Sequence, residues 1–182
     1  MKHDNSGGIS LQKQTSPHAD AVIRPVLTQT ASNTTLWVGH SQTDPADHYG
    51  GQTFICPTQG QLDNIQLFAT AVPVAGELLL TLHAFDAGQR SWGPVLAQVS
   101  RIVDADDRNN WLSFSMPAIA LEKGYCYGFR IQARKGLIAL AEAACDNKHP
   151  FSFGQEWNAD SLNQQGHYYS FFSLAFKVEM RA

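Results

Sequence analysis

Apolar and polar residues alternate along most of this chain, from residue 51 to residue 103 and again from residue 111 to residue 180. In residues 61–72, for example, Ile65, Leu67 and Ala69 fall on one face of an extended strand, opposite a mixed face. A period of two residues is typical of β-strands that bury one face. The pattern therefore predicts a protein built from half-buried strands.

Glycine, proline, asparagine and aspartate interrupt the alternation at short intervals and divide it into nine to eleven strands. The predicted strands are residues 21–27, 34–39, 51–56, 61–72, 76–86, 95–103, 111–116, 125–133, 137–144, 151–157 and 168–179. Closely spaced turns between antiparallel neighbours favour two packed sheets, so the expected fold class is all-β. We expect one domain over residues 21–182, preceded by a polar tail or strap over residues 1–20.

The composition argues against several classes of function. Charged residues make up 16% of the chain, the net charge is −3, and the basic residues are scattered, so nucleic acid is not an expected partner. No run of about 20 apolar residues is present, so no membrane span is expected. Residues 1–25 contain no apolar core of a signal peptide, which leaves the compartment open. If a longer natural chain carries such a signal, an exported or cell-surface location is expected.

The cysteines Cys56, Cys126 and Cys145 do not have the spacing of a zinc site. Lys135–Gly136 has the sequence of a two-residue hairpin turn, and counting outward from it places Cys126 opposite Cys145. Directly opposed strand residues lie about 5.5 Å apart at a hydrogen-bonded pair, which is within the range of a disulfide. A Cys126–Cys145 disulfide and two buried free thiols both fit the sequence.

The same hairpin register places Glu142 on an apolar face. A carboxylate in that position needs a partner, a place at the sheet edge, or a raised pKa. Arg130 or a water molecule would satisfy it. Paired-carboxylate chemistry would instead need a second acid, for which Glu156 and Asp146 are the candidates.

Asp104, Asp106 and Asp107 lie in one polar loop and are candidate calcium ligands, because hard cations prefer clustered carboxylate oxygens. The loop does not follow the EF-hand spacing, since Ser115 stands where the twelfth-position glutamate belongs. The alternative is a solvated acidic turn whose aspartates accept hydrogen bonds from local backbone N–H groups. No other cofactor is expected.

Short motifs mark predicted turns and strand starts from about residue 49 to the end of the chain. They are Gly51-Gln52-Thr53-Phe54, Gly93-Pro94-Val95-Leu96-Ala97, Trp111-Leu112-Ser113-Phe114, Leu121-Glu122-Lys123-Gly124-Tyr125 and Phe153-Gly154-Gln155-Glu156-Trp157. This order of motifs resembles bacterial jelly-roll β-sandwich modules of the galactose-binding-like or carbohydrate-binding type. The resemblance implies a two-sheet antiparallel jelly-roll sandwich that binds sugars at a sheet face or at loop tips, often with a structural calcium ion.

Carbohydrate recognition needs flat aromatic rings that stack on a sugar, and planar polar groups that bind its hydroxyls. Several loop aromatics of this chain have such neighbours. The candidate ligand-binding residues are Trp92 with Gln89 and Arg90, Trp157 with Glu156 and Asn158, and Tyr49. For each tryptophan, the alternative is that its ring caps the end of the core.

These observations favour a non-catalytic binding module for carbohydrate or a similar polar ligand. One alternative is a structural or adhesion module that binds another protein and uses its polar strand faces for assembly. A weaker alternative is a small glycoside-type hydrolase, because no nucleophile or acid–base pair is recognisable in the sequence. Enzyme activity is therefore not expected, and the sequence leaves the oligomeric state open.

Overall fold

The computed structural model describes residues 22–146 and 149–181, and these residues form antiparallel β-strands joined by short connections. The predicted tail over residues 1–20 lies outside the described residues. The described part contains thirteen strands and one 3-10 turn at Ala105–Asp107. The strands are β1 (Ile23–Gln29), β2 (Thr34–His40), β3 (Asp47–Ile55), β4 (Gly60–Val74), β5 (Gly76–Asp86), β6 (Ser91–Val103), β7 (Asn110–Leu121), β8 (Cys126–Arg134), β9 (Leu137–Ala144), β10 (Glu156–Asp160), β11 (His167–Tyr169), β12 (Phe172–Leu174) and β13 (Phe176–Arg181). The all-β class is confirmed.

The predicted count of nine to eleven strands is too low because the strand predicted at residues 168–179 is divided into β11, β12 and β13. These three strands have different partners: β11 pairs with β10, β12 with β9, and β13 with both β1 and β4. The chain therefore changes neighbours twice within one alternating stretch. Other boundaries differ as well: β7 continues to Leu121, and the strand predicted at residues 151–157 is observed at Glu156–Asp160. Because β3 begins at Asp47 and β6 at Ser91, Tyr49 and Trp92 lie in strands rather than loops.

All strand pairs are antiparallel, and they form one curled sheet in the order β1-β13-β4-β9-β2-β3-β8-β5-β6. In addition, β7 pairs with β4, β12 with β9, β10 with β3, and β11 with β10. Only two residue pairs join β2 to β3, namely Gly39 with His48 and His40 with Asp47. We call the strands on either side of this narrow junction the β4 flank (β1, β2, β4, β7, β9, β12 and β13) and the β8 flank (β3, β5, β6, β8, β10 and β11).

The inner faces of the two flanks pack against each other around one hydrophobic core. Phe176 of β13 lies with its ring centroid 5.6 Å from that of Phe129 in β8 and 6.3 Å from that of Phe54 in β3. All three rings are fully buried. These contacts join strands that are not hydrogen-bonded to one another, and they hold the curl closed.

Lys135–Gly136 is not a hairpin turn, so this prediction is wrong. β8 pairs with β3 and β5, whereas β9 pairs with β2, β4 and β12, and the two residues carry the chain from one flank to the other. The crossing is tight, because a Cβ added to Gly39 would clash with the carbonyl oxygen of Gly136, and one added to Gly76 would lie 2.7 Å from the Gly136 Cα. Glycine at all three positions gives the crossing backbone its room.

Of the two alternatives for Cys126 and Cys145, the disulfide depended on that hairpin register and is not formed. Cys126 lies opposite Ile55 in the β3–β8 ladder, and Cys145 donates its backbone N–H to the carbonyl of Phe171 just beyond β9. Cys56, Cys126 and Cys145 are all free thiols. The fold is therefore held by packing and hydrogen bonds, without a covalent crosslink among the described residues.

Truncation of Phe176 tests the contact between the flanks. We expect Phe176→Ala to lower the free energy of unfolding by about 3–5 kcal/mol, since it removes a fully buried ring and leaves a cavity between three strands. Ile102→Ala is the matched control, because Ile102 is 71% exposed and its loss is expected to cost less than about 0.5 kcal/mol. Urea unfolding measures both, and similar costs for the two variants would contradict the assigned packing.

Candidate functional site

The tips of two hairpins of the β8 flank, β5–β6 and β10–β11, form a groove of about 760 Å³, which we call the hairpin groove. Its lining combines aromatic rings with amide and guanidinium groups. The residues that supply them are Trp92, His167, Tyr168, Tyr169, Gln89, Gln164, Gln165 and Arg90. No aspartate or glutamate lies among the described residues that line the groove.

Each hairpin tip is shaped by an aspartate that accepts two backbone hydrogen bonds. Asp86 Oδ1 accepts from the N–H groups of Gly88 and Gln89, both at 2.9 Å. Asp160 Oδ1 accepts in the same way from the residues two and three positions after it, at 2.8 and 2.7 Å. Aspartate favours such turns because its short side chain reaches the backbone ahead of it. The walls of the groove are therefore defined by local sequence.

An aromatic cluster on the outer face of the β8 flank forms the floor of the groove. Trp92 stacks on Tyr168 with ring centroids 6.4 Å apart and an interplanar angle of 30°, and it meets Trp157 edge-on at 5.6 Å. Trp157 is fully buried, and its Nε1–H donates to the carbonyl of Gln165 at 3.0 Å. Trp92 and Tyr168 remain partly exposed. The groove thus has a ring surface at its floor and a buried indole that supports it.

Two glycines make room for these indoles. A Cβ added to Gly128 would lie 2.6 Å from Cζ3 of Trp92. One added to Gly51 would lie 2.7 Å from the carbonyl oxygen of Phe129 and 3.1 Å from Cε3 of Trp157. Because β3 and β8 are neighbours, both rings can lie close to the backbone of the sheet.

His83 fixes the strand that carries Trp92. The His83 ring lies 3.0 Å through Nδ1 from the carbonyl oxygen of Gly93 and 2.9 Å through Nε2 from Oγ1 of Thr81. Since a carbonyl only accepts, Nδ1 carries the proton, and Nε2 accepts from the threonine hydroxyl. Burial lowers the pKa of His83, with a further contribution from the positive charge of Arg130. The neutral imidazole is thus a structural part of the cluster.

Arg130 of β8 completes the cluster. Its guanidinium carbon lies 4.4 Å from the ring centroid of Trp157 and 5.9 Å from that of Trp92, which is cation–π geometry. Within the described residues, no carboxylate forms an ion pair with Arg130, and its buried Nε has no hydrogen-bond partner. Burial lowers the pKa of Arg130, yet a guanidinium stays charged at neutral pH. The outer face therefore carries an unneutralised cation.

The residues predicted from the sequence to bind ligand are divided between different places. Gln89, Arg90 and Trp92 come together in the hairpin groove. Trp157 is fully buried beneath Trp92 on the outer face of the β8 flank and does not line the groove. Tyr49 lies half-buried in β3, opposite residues of β8 and β10.

The neighbours of Trp157 point the other way. Glu156 and Asn158 alternate with Trp157 along β10 and so project to the opposite face, towards the interior. Glu156 is fully buried, and Oδ1 of Asn158 is enclosed without a hydrogen-bond partner among the described residues. The sequence analysis grouped all three as one candidate site, although Glu156 and Trp157 fall in the strand predicted over residues 151–157, where alternation separates them.

Tyr168, Tyr169 and Gln165 are groove residues that the sequence did not single out. They follow Trp92 by more than 70 positions in the chain, so no local motif connects the two walls. The available signal is Gly166, whose φ of 66° marks a turn just before two adjacent tyrosines. Treating residues 168–179 as one strand concealed that the two tyrosines belong to a separate short strand, β11, paired with β10.

The candidate calcium ligands are engaged in local hydrogen bonds. Asp104 Oδ1 accepts from the backbone N–H of Asp106 at 2.9 Å, and Asp107 Oδ2 accepts from that of Asp104 at 3.2 Å. Asp107 Oδ1 also accepts from Nη2 of Arg101 at 2.7 Å. This is the bonding that the acidic-turn alternative describes. Over residues 22–146 and 149–181, no group of three or more His, Cys, Asp or Glu side chains is arranged to hold a metal ion.

A pair of carboxyl groups lies inside the fold. Glu142 of β9 is 5% exposed and Glu156 of β10 is fully buried, and they interact across the interior. Burial, followed by the neighbouring Glu142, raises the pKa of Glu156 to about 9. Neither carboxyl oxygen of Glu156 accepts a hydrogen bond of normal geometry within the described chain. A protonated Glu156 can instead donate its O–H to the Glu142 carboxylate, as in carboxyl pairs that share a proton.

The structure also shows which of the partners considered for the Glu142 carboxyl group lies beside it. Of the two acids named as candidates, Glu156 is the one beside it, although the hairpin register that brought Glu142 to attention is wrong. Arg130 is not its partner, because the guanidinium lies on the outer face over Trp157. Gln52 contributes to the same interior layer, where its Oε1 accepts from the N–H of Leu174 at 3.1 Å.

Comparison with known proteins adds no assignment. No protein-family model matches the chain, and no curated protein matches its sequence significantly. Within residues 22–146 and 149–181, no helix is long and apolar enough to cross a membrane.

The interior acid pair makes stability depend on pH. A pKa of about 9 in the folded state, against an ordinary 4.5, means that the folded protein binds this proton more tightly than the unfolded chain. The contribution of Glu156 to stability is therefore fully present below about pH 4.5 and falls as the pH rises towards 9, by at most about 1.4 kcal/mol per pH unit for one proton. We expect Glu156→Gln, which keeps the shape without the charge, to flatten this decline between pH 6.5 and 8.5.

Urea unfolding at several pH values measures the decline, and Glu122→Gln is the matched control because Glu122 is exposed. The control is expected to follow the natural protein. Equal slopes for Glu156→Gln and the natural protein would show that Glu156 is ionised in the folded state.

Proposed function

We propose that this protein is a non-catalytic binding module whose hairpin groove takes a carbohydrate or a similar polar ligand. The observation that carries the proposal is the meeting of an aromatic floor, Trp92 and Tyr168, with planar polar groups from both hairpins. Such a surface offers ring faces for the C–H side of a sugar and amide and guanidinium groups for its hydroxyls.

Pre-organisation of the groove supports the same proposal. Trp157 holds the floor from below through ring contact with Trp92, and it is anchored to the opposite wall by its bond to the Gln165 carbonyl. Burial raises the pKa of Tyr168, so its hydroxyl stays protonated and can donate to a ligand. A ligand that meets ordered groups loses less affinity to the ordering of the protein.

We further propose that the curled sheet is a two-sheet jelly-roll sandwich of the galactose-binding-like type. Two features support this. The inner faces of the β4 and β8 flanks pack on each other through Phe176, and only two residue pairs of β2 and β3 join the flanks. In such a module, the hairpin groove would be a site at the loop tips.

A second candidate function is assembly with another protein or with a second copy. β6 pairs with β5 alone, and the apolar side chains of Val95, Leu96 and Ile102 are 54%, 40% and 71% exposed along it. An exposed strand edge with apolar residues is a surface on which chains associate. This candidate differs from ligand binding in needing no groove.

A glycoside hydrolase is the weaker candidate. Glu142 and Glu156 do form a carboxyl pair, but both lie in the interior and neither lines the hairpin groove. General acid and base residues must reach the scissile bond of the substrate. We accordingly infer that the pair affects the pH dependence of stability and takes no part in hydrolysis.

Removal of the floor ring tests the proposed site. The probes are glycans selected on an array of plant, microbial and animal oligosaccharides. We expect Trp92→Ala to raise the Kd for these glycans by at least about tenfold, because the stacking surface is lost. Tyr169→Ala, at a 37% exposed position in the groove, gives a second variant that leaves the cluster intact. Isothermal titration gives the affinities, and thermal melting shows that each variant is folded.

Trp37→Ala is the matched control, since Trp37 is 44% exposed and lies in β2, on the other flank. It is expected to bind as the natural protein does. If no glycan binds and light scattering shows a defined oligomer that Ile102→Asp dissociates, the assembly function replaces the binding function. If Trp37→Ala abolishes glycan binding while Trp92→Ala retains it, the binding site lies at β2 and not in the hairpin groove.

A further inference from the structure

A second groove of about 300 Å³ lies on the outer face of the β8 flank, and we call it the sheet-face groove. Its polar lining comes from three neighbouring strands, namely Thr81 and His83 of β5, Gln98 of β6, and Arg130, Gln132 and Arg134 of β8. His83 and Arg130 both contact Trp92, the floor residue of the hairpin groove. The two grooves therefore meet at Trp92.

The sheet-face groove carries an excess of positive charge. Arg130, Gln132 and Arg134 alternate on one face of β8, so their Cα atoms are about 6.6 Å apart in turn. His83 is held neutral by burial. Among the described residues, the acid that meets this face is Glu77, which lies at the far end and pairs with Arg134 at 3.4 Å. The groove thus presents positive charge next to Trp92, and Arg90 adds more across the hairpin groove.

Arg130 is the charged group of this groove that most clearly lacks a partner among the described residues. Its guanidinium stacks on Trp157, its buried Nε has no hydrogen-bond partner, and no carboxylate of the described chain pairs with it. A partly desolvated cation gains most from an anion that enters the same site. The planar fork of an arginine suits a carboxylate in particular.

We propose that the ligand is an acidic saccharide, with one sugar against Trp92 in the hairpin groove and a sugar carboxylate over Arg130 in the sheet-face groove. This rests on the proposed function, because the sugar ring is placed by the hairpin groove. Gln98 and Gln132 lie beside Arg130 and can bind hydroxyls of the same chain of sugars. Arg134 is the next cation along the path.

The test compares uronic-acid oligosaccharides with their methyl esters, which have the same shape without the charge. The probes are oligomers of galacturonate, of mannuronate and of hyaluronan, titrated into the full chain at two salt concentrations. We expect the acids to bind at least about tenfold more tightly than the esters, with the difference reduced at high salt. Arg130→Gln is expected to remove the preference, and Arg134→Gln to reduce it.

Arg24→Gln is the matched control, because Arg24 is exposed in β1 at the far edge of the sheet. It should keep the preference for acids. Should Arg130→Gln fail to fold, Arg134→Gln and the acid–ester comparison on the natural protein still test the inference.

If acids and esters bind equally and Trp92→Ala abolishes binding, the ligand is not acidic, and the hairpin groove remains the proposed binding site. A preference for acids that survives both Arg130→Gln and Arg134→Gln would place the charge recognition elsewhere and overturn the inference. Absence of binding to any glycan would overturn the proposed function and this inference together.

Discussion

The contact between the inner faces of the two flanks, with Phe176 against Phe129 and Phe54, is the interaction on which the structure depends. A sheet of this length buries its apolar face only if it curls on itself. The hydrogen bonds between β2 and β3 are too few to define the curl, because only two residue pairs join them. Side-chain packing therefore sets the distance between the flanks. It also makes the β8 flank a firm platform, since the core supports the strands that carry the outer aromatic cluster.

Strand positions could be predicted from the sequence because each depends on local alternation, as in the central residues of β4. Strand partners could not. Lys135–Gly136 reads as a hairpin turn, and nothing near it shows that Gly39 and Gly76 approach the same point from distant parts of the chain. That close approach turns a hairpin into a crossing. The register of Cys126 and Cys145 was derived from the hairpin, so the error passed to that pair. Glu142 is nevertheless buried, as expected, because it lies on the inner face of β9.

In the candidate site, too, local sequence predicts some features, while others depend on contacts between distant parts of the chain. Gln89, Arg90 and Trp92 are adjacent in sequence, and one hairpin keeps them together in the groove. Tyr168 joins them only because β10 adds to the edge of β3 and carries the second hairpin alongside the first. Grouping Trp157 with Glu156 as neighbours in one site overlooked a simple consequence of strand geometry, although both fall in the strand predicted over residues 151–157. Once β10 is a strand, consecutive residues must face opposite sides of the sheet.

That alternation explains how one protein keeps acids and a cation close together without pairing them. Glu156 points inward to Glu142, while Trp157, the next residue, points outward beneath Arg130. The sheet separates the two, so the acids relieve their repulsion by retaining a proton and cannot neutralise the arginine. The Trp157 and Trp92 rings stabilise Arg130 by cation–π contact, an interaction of about 1–2 kcal/mol that leaves the charge available. Had Glu156 faced outward, its carboxylate could have paired with Arg130, and Trp157 would have turned inward away from the guanidinium. The register of β10 on β3 thus keeps the Arg130 guanidinium apart from the nearby acid of that strand.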